Sequence, residues 1–142
     1  MKADELGVAP TDALQNVWGI MRETGYAEGA LTLVTLAEGT TSLYLPNGSG
    51  VIGAGEHVSV RAAGDAFLRT AEFALSKFKA PGDESPPQEG EVSFLALTHS
   101  GVVSAREREQ TLSEGVGPLS ALYFAGEALL SQVRIASEGG RK

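Results

Sequence analysis

The sequence predicts an α+β fold, an antiparallel sheet of about five strands packed with three helices. Three observations carry that expectation. Two pairs of short apolar runs, Ala30–Leu36 with Thr41–Leu45 and Glu91–Thr98 with Val102–Glu109, are each joined by a turn, as strands of a hairpin are. The stretch from about His57 to Lys79 repeats its apolar residues at the helical period, with Val60, Ala63, Phe67, Ala71, Ala74 and Phe78 on one arc. A final stretch, Leu119 to about Ser137, follows Gly117-Pro118, which places proline where a helix tolerates it best.

In chain order, residues 1–9 lack periodicity and read as a flexible tail. Thr11 and Asp12 suit a helix start, and Leu14, Val17, Trp18 and Met21 recur at helical spacing, so a short first helix closed by Gly25 is expected, with Trp18 as core packing. Ala30–Leu36 is apolar on both faces, which predicts a central strand covered on both sides. Pro46-Asn47-Gly48 is turn chemistry, and Val51 and Ile52 suit a short third strand. Residues 80–90 form an acidic loop broken by proline and glycine, the stretch best suited to disorder. The strand at Val102–Glu109 ends in alternating charge, which favours a place at the sheet edge. The last helix carries a polar stripe of Ser120, Glu127, Ser131, Arg134 and Glu138, with Phe124 inside it.

The order helix, two or three strands, long helix, two strands, helix resembles that of profilin-like and roadblock-like domains. The resemblance is one of element order. It implies a small sandwich that binds other proteins.

The 142 residues suit one domain, 1–142, with 42% hydrophobic and 20% charged residues, the composition of a folded chain. A net charge of −7 without a basic cluster argues against nucleic acid as a partner. No apolar run approaches the roughly 18 residues of a membrane span and no leader-like segment is seen, so a cytoplasmic protein is expected. The absence of cysteine removes thiolate nucleophiles and Cys-based metal sites.

Gly48, Gly50 and Gly53 match the G-x-G-x-x-G spacing, whose glycines let backbone N–H groups approach a pyrophosphate. The preceding strands read as a hairpin rather than as part of a βαβ unit, which favours a structural turn. Were a small ligand or nucleotide to bind here, Gly53, Gly55, His57 and Arg61 would hold it. His57 and His99 are the only histidines and lack the carboxylates a metal site needs. No nucleophile elbow or carboxylate pair is singled out, so no catalytic residue, cofactor or metal is expected. The positive signal is apolar residues in the wrong place: Ala62, Ala66 and Phe73 lie off the core arc of the long helix, and Phe124 interrupts a polar stripe. Aromatic residues in such positions mark contact surfaces. The expected function is that of a non-catalytic, acidic adaptor or regulatory domain, homodimeric in one form, that presents a helix face and a sheet edge to a protein partner or to itself.

Overall fold

The computed structural model describes residues 9–52, 57–117 and 119–139. Six strands, β1 (Val17–Tyr26), β2 (Gly29–Leu36), β3 (Thr41–Tyr44), β4 (Gly50–Ile52), β5 (Glu91–Thr98) and β6 (Gly101–Arg108), form one antiparallel sheet in the order β4-β3-β2-β1-β5-β6. Helices α1 (Val58–Ala74), α2 (Glu109–Ser113) and α3 (Ser120–Gly139) complete the α+β architecture. Both expected hairpins, the short strand at Val51–Ile52 and the two long helices are present, and β6 lies at the sheet edge.

Helices α1 and α3 pack against each other and cover one face of the sheet. Ile20, Leu33, Leu43, Val92, Phe94 and Ala96 point from the sheet into a core completed by Val60, Phe67, Leu68 and Ala71 of α1 and Leu122, Leu129 and Val133 of α3. This apolar layer drives folding, at on the order of 25 cal/mol for each Å² taken out of water.

The expected first helix is absent, and its residues form β1. β1 is paired on both flanks and Val17 to Ile20 are all buried, so its start shows no strand alternation and the apolar positions fall by accident at helical intervals. The Thr11 hydroxyl does accept a hydrogen bond from the Leu14 N–H at 3.0 Å, but it closes a single turn. Gly25 is a strand residue, not a helix cap. A Cβ there would collide with the Gln88 carbonyl, so a residue without a side chain is required. Trp18 is buried as expected, its indole N–H donating to the Thr98 carbonyl at 3.1 Å.

β2 is central but covered by helices on one side only. Leu33 faces the core, whereas Val34 and Leu36 lie half-buried on the opposite face beside Met21, their register partners being Met21 and Gly19. The segment 80–90, expected to favour disorder, is fastened instead. Lys79 bridges to Ser104, the Gly82 N–H donates to the Val102 carbonyl, and the Gly90 N–H donates to the Gly25 carbonyl at the far end. Arg106 of β6 donates to the carbonyls of Ser85 and Pro86 and pairs with Asp83 and Glu91 at 3.5 and 3.2 Å. One guanidinium thus supplies the partners that an acidic, proline-broken stretch lacks within itself.

Candidate functional site

The outer face of the helical layer combines features that set it apart from an ordinary solvated surface. At 100° per residue, the buried arc of α1 centres on Val60, Phe67 and Ala71, and the row diametrically opposite is Val58, Ala62, Ala66, Arg69 and Phe73, with Asp65 at its border. All six are exposed, Phe73 at 91% and Val58 at 84%. The same geometry on α3 sets Ala121, Phe124, Ala128, Ser131 and Ile135 opposite a core arc of Leu122, Gly126, Leu129 and Val133. Phe124 is 46% exposed and Ile135 60%.

The two helices pack against each other, and each carries an exposed row of this kind. Single exposed hydrophobes are normal, but rows of them with an exposed aromatic on each helix are less so. On α1 the charges of the row are Asp65 and Arg69, paired at 2.8 Å. Beside Phe73 an open groove of about 320 Å³ runs between α1 and Asp12-Ala13, with Arg69 and Glu72 on its wall.

The four sequence-selected residues of this face, Ala62, Ala66, Phe73 and Phe124, are therefore exposed on two neighbouring helices. Val58, Ala121, Ala128 and Ile135 are not among the residues that the sequence singles out. Their signal is the same helical arithmetic, applied to the arc opposite the core. Ser120, read as part of the polar stripe, is buried where the chain enters α3, and its hydroxyl accepts from the Gly117 N–H at 3.3 Å.

Gly53 and Gly55 lie outside the described residues, and His57 is exposed before α1. Arg61 reaches the turn at Gly39 in an open cleft of about 220 Å³ shared with the carboxylates of Glu38 and Asp65, surroundings that oppose an anion. Among the described residues no three His, Cys, Asp or Glu side chains gather as metal ligands, and no helix is long and apolar enough to cross a membrane. The sheet edge at β6 is already bonded at Val102 and Ser104, which leaves β4 as the shorter, opposite edge.

A buried polar cluster lies where β1 meets α3. Arg22 is 3% exposed, pairs with Glu127 at 2.5 Å and rests over the Tyr123 ring at 4.7 Å, while the Tyr123 hydroxyl donates to Glu109 at 2.9 Å. Burial, and then the acceptor Glu109 and the nearby Glu127 charge, push the Tyr123 phenol well above its ordinary pKa. Burial and Glu109 also raise Tyr26. Both phenols are held away from ionisation near neutrality, the opposite of what general acid or base work requires. The cluster ties β1 to α3 and gives no sign of chemistry.

Comparison with protein-family models, with curated proteins and with solved structures finds no match to this chain.

Proposed function

We propose that this protein is a non-catalytic, cytoplasmic interaction domain of adaptor or regulatory type, whose working surface is the outer face of α1 and α3. The observation that carries the reading is Phe73, 91% exposed and diametrically opposite the core in a row that holds Val58, Ala62 and Ala66. The magnitudes fit a contact made by the rows together. Burying one large apolar side chain contributes on the order of 2 kcal/mol, while association costs upwards of about 4 kcal/mol in lost freedom. No single residue meets that cost, whereas Val58, Phe73, Phe124 and Ile135 together reach at most about 8 kcal/mol, within its range.

The test is a capture experiment from the cells that make the protein, with wild type and the triple variant Phe73→Ser/Phe124→Ser/Ile135→Ser as baits and solution mass measured in parallel. A species retained by wild type and lost by the variant, a second copy of the chain included, supports the reading, provided both baits give the same far-ultraviolet circular dichroism. Identical retained sets and identical masses overturn it.

A further inference from the structure

We infer that the partner of this face is a second copy of the chain, docked with its α1 antiparallel to the first across a two-fold axis near the midpoint of Phe67 and Leu68. The inference rests on the reading of α1 and α3 as the working surface and adds the occupant and its orientation.

The argument is one of self-complementarity. In a two-fold contact the same patch meets itself, so each residue must suit the one equally far beyond the axis. Along the exposed row of α1, Ala62 and Phe73 each lie about 8 Å from that midpoint at 1.5 Å per residue. An antiparallel pair therefore sets the large Phe73 of either copy over the small Ala62 of the other, a knob facing a hole on both sides of the axis. Ala66 and Arg69 are likewise equidistant from it, and Asp65 lies one residue beyond Ala66. Arg69 of each copy then reaches Asp65 of the other, so the 2.8 Å pair within one helix becomes a four-membered charge network across two.

The parallel alternative sets Asp65 against Asp65, Arg69 against Arg69 and Phe73 against Phe73, with like charges and bulky groups opposed. Net charge decides in the same direction. At −7 each, two copies repel in most orientations, yet the charges that meet across this axis are Asp65 and Arg69, which cancel, while Glu72 at the border is held by Asn16 and Val17. In the antiparallel arrangement the two sheets lie outermost.

The test uses charge reversals at exposed positions. Asp65→Arg makes both network charges of a copy positive, and Arg69→Asp makes both negative. Each variant alone is expected to dissociate at least tenfold more readily than wild type in sedimentation equilibrium. Mixed one to one, the two are expected to form a heterodimer at least as tight as the wild-type dimer. An ion pair acting only within its own helix does not produce that rescue. Circular dichroism of each variant confirms that the fold is kept.

A wild type that is monomeric at every concentration, with no heterodimer on mixing, overturns the inference. A dimer indifferent to both reversals also overturns it, by locating the contact elsewhere. The interaction reading itself then stands or falls separately, on whether the triple variant loses a captured species that wild type retains.

Discussion

Gly126 of α3 lies against the guanidinium of Arg22, so close that a methyl group on its Cα would sit 3.0 Å from Nη1 and 3.2 Å from Cδ. The missing side chain is what admits a long, charged residue beneath the helix. Glu127, the next residue, then supplies the carboxylate. Breaking a fully buried ion pair by removing one partner costs about 3–5 kcal/mol. Glu127 is partly open to water, so Glu127→Ala is expected to lower the unfolding free energy by about 2 kcal/mol. Adding Arg22→Met removes the stranded charge and is expected to recover most of that loss. Urea unfolding of the single and double variants checks both, and a Glu127→Ala protein as stable as wild type would show that Arg22 is satisfied without its partner.

The contrast between Arg22 and Phe73 shows what is legible in the sequence. The outward rows of α1 and α3, with Phe73 and Phe124 in them, follow from spacing alone, because a helix fixes which residues share a face. The burial of Arg22 does not, because it depends on Gly126 and Glu127, more than a hundred positions away, and nothing local reports such a pairing. The same limit explains β1. β1 is paired by β2 and β5 on its two flanks, and because Val17 to Ile20 are all buried its start lacks the alternation by which strands are recognised. Residues 80–90 depend likewise on Arg106, which belongs to a later strand.

Glu72 links α1 to the start of β1, its carboxylate accepting from the Asn16 and Val17 N–H groups at 2.9 Å each and from the Asn16 side chain at 2.9 Å. Burial by itself raises its pKa, but these hydrogen bonds, with His99 nearby, outweigh burial and hold it below the ordinary 4.5. A depressed folded-state pKa contributes stability that is present above the unfolded value and is lost as pH falls through the folded one. Glu72→Gln is thus expected to be less stable than wild type by on the order of 1 kcal/mol at neutral pH. The two curves should converge below about pH 4. Thermal unfolding across that range checks it, and a difference that persists unchanged at low pH would show that the charge is not what matters.

The Tyr123 phenol provides the opposite sign. Its folded-state pKa is raised, by burial first and by Glu109 and Glu127 next. A raised value means that stability is fully present below the unfolded tyrosine pKa of about 10 and is lost as pH climbs beyond it towards the folded one. Tyr123→Phe, with no phenol to ionise, is expected to keep its stability further into the alkaline range. The comparison is made by denaturant unfolding, alongside phenolate absorbance to follow ionisation. Equal alkaline losses in both proteins would assign the transition to another group.

Arg106 governs the segment that crosses the β6 side of the sheet. It is the shared partner of Asp83, Ser85, Pro86 and Glu91, whereas the segment's backbone is fixed to the sheet through Lys79, Gly82 and Gly90 and, by side-chain acceptors, at Asp83 and Gln88. Between Asp83 and Gln88 the guanidinium is the main tie to the sheet, so its loss favours local opening there. Opening of this kind is a sub-global event with its own free energy, smaller than that of unfolding. Arg106→Ala is expected to speed proteolytic cleavage between Asp83 and Glu89 by about tenfold, equivalent to about 1.4 kcal/mol of local stability. Global unfolding should shift by less, because the core under α1 and α3 is untouched. Cleavage rates measured well below the unfolding transition separate the two, and a variant cut no faster than wild type would mean that the backbone anchors at Gly82 and Gly90 hold the segment without the arginine.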